Sequence, residues 1–127
     1  MTPTFTLLDS HYAIVKLAAD DPIPPWAHGA FCSITRTSDE LSIVCEEGGV
    51  PDVVADRGWR CLKLAGPFPL DQTGVAAAFT RVLADAGIAL FVISTYDTDY
   101  VLVRDAALEH ASAALRASGY TVRQVGR

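Results

Sequence analysis

TGVAAAFTRVLADAGIALFVISTYDTDYVLV, residues Thr73 to Val103, holds two periodicities back to back, and the change between them decides the fold. In its first part Val75, Phe79, Val82, Leu83 and Ala86 fall at helical spacing, so a helix is expected from about Thr73 to Ala86, with Gly87 placed to end it. Ile88 to Ile93 is nearly all apolar, the pattern of a central strand flanked on both sides. A short polar loop follows, and Tyr100–Val103 resumes as a strand.

Outward from this stretch the pattern completes a unit. Downstream, Asp105 is a plausible N-cap for a second helix with Leu108, Ala111, Ser112 and Leu115 on one face and Gly119 as its stop. Tyr120–Val125 makes a last strand, and upstream Trp59–Leu64 makes a first one. The order β-α-β-β-α-β is the ferredoxin-like arrangement, an antiparallel sheet with two helices on one face, and the fold class is α+β.

The N-terminal half is β-rich. Phe5–Leu8 and Tyr12–Leu17 flank "DSH" and read as two strands joined by a turn. "AADDPIPPWAHGA" carries three prolines and a glycine that forbid regular structure, with Trp26 as an anchor packed on the core. "FCSITRTSDELSIVCEE" alternates apolar and polar residues on either side of a polar turn, as a strand pair does. Laid without gaps over "FVISTYDTDYVLVRDA", it matches Ile34 to Ile93 and Val44 to Val103. A duplicated architecture is expected, with a degenerate module in residues 1–57 and a complete one in 58–127.

Composition narrows the function. Half the 127 residues are hydrophobic and a fifth charged, a globular balance. The net charge of −5, with no Lys/Arg cluster, argues against nucleic acid as the main partner. No apolar run approaches the ~20 residues that span a bilayer, and "MTPTFTLLDS" lacks the basic start and apolar core of a signal peptide. Cys32, Cys45 and Cys61 are odd in number, with no C-x-x-C pair, and read as reduced thiols of a cytoplasmic protein. His11, His28 and His110 show no ligand spacing with them, so neither a metal site nor a nucleophile–base pair is expected.

The glycine at a helix start, the "G-I" leading into the strand, and the following "S-T-Y-x-T-D" and "L-V" resemble an ACT domain, of the type found in aspartokinase regulatory regions and in the cytosolic arginine sensor of the TORC1 pathway. The resemblance extends to "FCSITRTSDELSIVCEE" and covers most of residues 30–110. It implies a binding module with no enzyme activity and no cofactor. Such a module binds a free amino acid at an interface between modules and acts as a regulator or sensor, as a cytoplasmic homodimer. The alternative is a ligand-free scaffold that regulates a partner enzyme by protein contact.

An amino acid needs donors for its carboxylate, acceptors for its ammonium and a pocket for its side chain. Thr73, Gly74 and Val75 begin the helix, where unpaired amides and the positive dipole end lie, or else form an ordinary helix cap. Ser94 and Thr95 end the strand and offer hydroxyls and backbone groups. Asp99 stands at the family's aspartate position and is the choice for the ammonium, while Asp97 is read as solvent-facing; both are also favoured turn residues. Tyr96 walls the pocket or packs on a neighbouring module. Ala89 and Leu90 correspond to the edge that pairs across modules, although Leu90 also suits a core. The acidic loop favours a basic or small neutral ligand. The first module has Arg36 and Thr37 where the second has Thr95 and Tyr96, so no equivalent site is expected there.

Overall fold

Strand β1 runs unbroken from Thr4 to Leu17, where the sequence suggested two strands and a turn. "DSH" holds neither glycine nor proline to reverse the chain, and β1 instead changes partners along its length. Thr4–Leu7 pair with β7 (Thr121–Gln124) in parallel, and Tyr12–Leu17 pair antiparallel with β3 (Leu41–Glu46). The computed structural model describes residues 3–52 and 54–124. Val125, assigned above to the last strand, lies outside them.

The remaining elements are β2 (Ser33–Arg36), β4 (Ala55–Leu64), α1 (Val75–Asp85), β5 (Leu90–Ser94), β6 (Asp99–Arg104) and α2 (Leu108–Ala117), with 3₁₀ turns at Glu47–Gly49 and Asp105–Ala107. The chain divides into two units. One takes the residues up to Asp9 and those from Arg60 onward; the other is Ser10–Trp59.

In the first unit the strand order is β7–β1–β4–β6–β5. The elements β4, α1, β5, β6, α2 and β7 follow in the ferredoxin-like sequence. The start of β1 stands between β4 and β7, so this sheet takes one strand from the N-terminus. Alternation decides what the helices meet. Leu62 and Leu64 of β4, Val101 and Val103 of β6, and Phe5 and Leu7 of β1 form one buried cluster with Phe79 and Leu83 of α1 and Ala111 and Leu115 of α2. Phe5 meets Phe79 edge-on at 5.4 Å, an arrangement the ring quadrupoles favour.

Helix α1 stops as its sequence implies. Gly87 has φ +75°, its N–H bonds the Ala84 carbonyl, and the Ile88 N–H reaches back to Leu83. Ile88 is therefore a buried plug that closes the helix, and β5 begins two residues later. The expectation of a central strand over 88–93 is corrected, since β5 ends the strand order and pairs with β6. Leu90 to Ile93 are only half-buried, whereas Val101–Val103 of β6 are fully buried. An apolar run signals burial but not position in a sheet. Asp105 does not cap α2; it opens the 3₁₀ turn, and its carboxylate faces the Arg60 guanidinium at 3.4 Å.

In the second unit β2, β3 and β1 are neighbours, and Ala13, Val15, Leu41, Ile43 and Cys45 form its core with Trp26 packed against it, as its loop position suggested. Its β2–β3 hairpin ends in the pair Arg36↔Leu41, and the β5–β6 hairpin ends in Ser94↔Asp99. Both loops close alike: Thr37 N–H bonds the Glu40 carbonyl at 2.9 Å, and Thr95 N–H bonds the Thr98 carbonyl at 2.8 Å. The gapless match was therefore one residue out of register. Arg36 stands for Ser94, Thr37 for Thr95 and Leu41 for Asp99. A slip of one residue exchanges the faces of a strand, so hydrogen bonds and not apolar matching set the correspondence.

Candidate functional site

Gly74 is the N-cap of α1, with φ +84° and no side-chain cap. A Cβ there would meet nothing within 4 Å, so glycine is needed for its backbone angle and the space above it is open. The first helical bond runs from Ala78 N–H to the Gly74 carbonyl at 3.0 Å. The amides of Val75, Ala76 and Ala77 precede it and have no carbonyl within the helix to bond. This tip faces the β5–β6 hairpin across a cleft of about 290 Å³.

The hairpin loop is held rigidly. Thr98 is 6% exposed, and its hydroxyl donates to the Leu64 carbonyl at 2.6 Å. The Thr95 hydroxyl lies 3.1 Å from the Thr98 carbonyl, and the Asp97 carbonyl accepts the Phe68 N–H at 2.8 Å. Across the last strand pair the Ser94 hydroxyl donates to Asp99 Oδ1 at 2.5 Å, which orients that carboxylate at the cleft. Tyr96, 79% exposed, stands at the rim.

Of the nine residues singled out in the sequence, Gly74, Val75, Ser94, Thr95, Tyr96 and Asp99 line this one cleft. Thr73 is exposed just before the cap and lies outside the lining. Ala89 is exposed and Leu90 packs against the core, both at the end of β5 away from Ser94. Sequence reasoning passed over the third wall, Phe68, Pro69, Leu70 and Gln72, and the buried Thr98. In the sequence, "GPFPLDQ", residues 66–72, shows only as a break in periodicity. Its prolines and the glycine were the available signal of a rigid segment in close contact with another backbone.

The second unit's hairpin has no counterpart to this chemistry. Leu41, fully buried, occupies the place of Asp99. The Arg36 guanidinium donates to the Ala19 carbonyl and, at 2.9 Å, to the Asp21 carbonyl, tying the proline-rich segment down.

No cysteine, histidine, lysine or arginine is among the described residues lining the cleft, and no group of three or more His, Cys, Asp or Glu among the described residues could hold a metal ion. Burial pushes the Cys61 thiol up to about 12; burial, then Cys32 and Glu46, push Cys45 up to about 11. Both stay protonated near neutrality, and the thiolate is the nucleophile. The folded protein at pH 8 is therefore expected to take iodoacetamide at Cys32 at most, and at all three cysteines once denatured. Rapid native labelling of Cys45 or Cys61, read by intact mass, would contradict this burial.

The geometry can be set beside known proteins. Residues 54–117 match the model of the ACT domain, and residues 10–53 match the model of an N-terminal domain. A crystal structure of an Agobacterium tumefaciens protein is 41% identical with a TM-score of 0.92, covering 100% of this chain and 96% of that one. The cytosolic arginine sensor for mTORC1 subunit 1 of Bos taurus is 25% identical over 116 residues, 82% of this chain and 35% of the sensor. Aspartate kinase of Clostridium acetobutylicum shares the fold at a TM-score of 0.64 and 12% identity, over 92% of this chain and 34% of that one. The chain spans between 32% and 53% of the length of four curated relatives it matches.

Proposed function

The chain belongs to the ACT-domain family, is related to amino-acid sensors and aspartokinase regulatory domains, and we propose that it binds a free amino acid and regulates through that binding without catalysing a reaction. What carries the reading is the juxtaposition of the α1 tip and the β5–β6 hairpin about one cleft. The tip offers amide donors and the positive dipole end for a carboxylate. Opposite, Asp99 and the Thr95 hydroxyl offer acceptors for an ammonium. Two complementary charges at a fixed spacing recognise a zwitterion and reject a simple acid or amine.

Thr73, Ala89 and Leu90 belong to the proposed surround of the site, where another module completes it. The module acts as a cytoplasmic homodimer, consistent with a β5 edge that pairs with β6 alone among the described strands and with half-buried apolar residues along it. No described helix is long and apolar enough to cross a membrane. Residues 1–57 are read as a reduced copy of the module in 58–127, supported by the matched hairpin closures.

Thermal melting with each amino acid tests the reading. A ligand at 100 times its dissociation constant adds about 2.7 kcal/mol to the unfolding free energy. Asp99→Asn is expected to abolish the shift while leaving the unliganded melt within a few degrees, and sedimentation of the same samples reports the association state. If none of the amino acids moves the melt, the amino-acid reading fails.

A further inference from the structure

A second cavity, of about 590 Å³, lies in the same unit beside the polar cleft and shares Phe68, Gln72 and Val75 with it. Its chemistry is different. Leu64, Pro67, Ala78 and Tyr120 are among its remaining wall, and none of the described residues lining it is charged. Ligand pockets run roughly 300–1,000 Å³. The polar cleft, at about 290 Å³, lies just below that range, and its helix-tip amides, hydroxyls and Asp99 suit the charged head of an amino acid.

The geometry points to a composite site that selects a free amino acid with a large, neutral, apolar side chain, the zwitterion held in the polar cleft and the side chain lodged in the adjoining apolar cavity past Phe68 and Gln72. This rests on the amino-acid reading above and departs from the basic or small ligand that the acidic loop suggested. The reason is electrostatic. A guanidinium or ammonium placed among Leu64, Pro67 and Ala78 would lose part of its water and meet no carboxylate among the described lining residues, which is unfavourable for a charge. An aliphatic or aromatic side chain there loses only water-exposed apolar surface, which is favourable. Val75 belongs to both cavities, so the first turn of α1 both holds the head and floors the tail.

Titration calorimetry of the full chain with L-leucine, L-phenylalanine, L-arginine, L-lysine and L-alanine tests this. Leucine or phenylalanine is expected to bind at least ~10-fold tighter than alanine, arginine or lysine, the scale on which apolar pockets discriminate. Ala78→Leu fills the apolar cavity from an exposed helix position that does not line the polar cleft. It is expected to weaken leucine and phenylalanine by ~10-fold and to leave alanine unchanged. Arginine or lysine binding tightest, or an unchanged preference in Ala78→Leu, overturns the composite site while leaving amino-acid binding intact. Should none of the five bind while another amino acid does, the assignment of side-chain class fails alone; should no amino acid bind, the parent reading fails with it. The wild-type panel decides the side-chain class even if Ala78→Leu does not fold.

Discussion

Phe79→Ala lowers the unfolding free energy by about 3–5 kcal/mol, the cost of emptying a well-packed aromatic site. Phe79 is fully buried on the sheet-facing side of α1, and its ring meets Phe5 edge-on at 5.4 Å. Around it stand Leu62, Leu64, Val101 and Leu115, contributed by strands and by the second helix, so no single neighbour can move in to fill the void. Domains hold only about 5–15 kcal/mol of stability in all. The variant is therefore expected to melt roughly 10–20 °C lower, or to be largely unfolded at 37 °C. Urea titration followed by circular dichroism measures it. A loss below ~1 kcal/mol would mean that α1 is not clamped to the sheet through this ring. Because α1 carries the amides of the cleft, the proposed ligand binding is expected to fall with stability, and to return in so far as the variant is kept folded by cooling.

Gly66→Ala is expected to cost about 1–3 kcal/mol and to weaken the proposed binding at the cleft, although Gly66 carries no chemistry of its own. A Cβ at Gly66 would lie 2.8 Å from the Asp97 carbonyl oxygen, 3.1 Å from Thr98 Cβ and 3.3 Å from the Phe68 nitrogen. Two of those atoms are backbone and cannot swing aside. They are also the two ends of the Phe68 N–H to Asp97 carbonyl bond that joins the cleft's third wall to the hairpin loop. Room for the methyl comes only by lengthening that bond or displacing Thr98, whose hydroxyl is committed to the Leu64 carbonyl. Gly74 makes the contrast. A Cβ there finds open space, and only its φ of +84° calls for glycine. Comparing melts of Gly66→Ala with wild type decides the point, and a variant within 0.5 kcal/mol of wild type, with unchanged ligand response, would show that the two walls are not mechanically joined; about that size is the ordinary effect of a surface substitution.

Much of the fold was legible because local signals agreed with one another. Helix α1 lies within one or two residues of its apolar periodicity, and Gly87 ends it. The hairpin of Leu90–Ser94 and Asp99–Arg104 follows from apolar runs on either side of Thr95–Thr98. The cleft was legible in part for the same reason, since its two facing segments each carry recognisable turn or helix-start chemistry. What was missed depends on contacts distant in sequence. "GPFPLDQ" shows prolines but not which backbone it will touch, and Thr98 shows a hydroxyl but not that Leu64, 34 residues away, will accept from it. The short-range reading of "DSH" as a turn failed because β1 has two partners, and only those partners reveal that the chain there runs straight.

The sequence by itself determined the alternation of strands and helices, the glycines that end or begin the helices, and the family, because these are properties of neighbouring residues acting through backbone angles and periodicity. Tertiary structure alone decided that β5 lies at the edge of its sheet, that Arg36 corresponds to Ser94 with Leu41 in the place of Asp99, and that a cavity with no charged side chain among its described lining residues adjoins the polar cleft. Each of these turns on which strands pair and in which register. Hydrogen bonds between segments far apart in the chain settle that choice, and near neighbours carry no record of it.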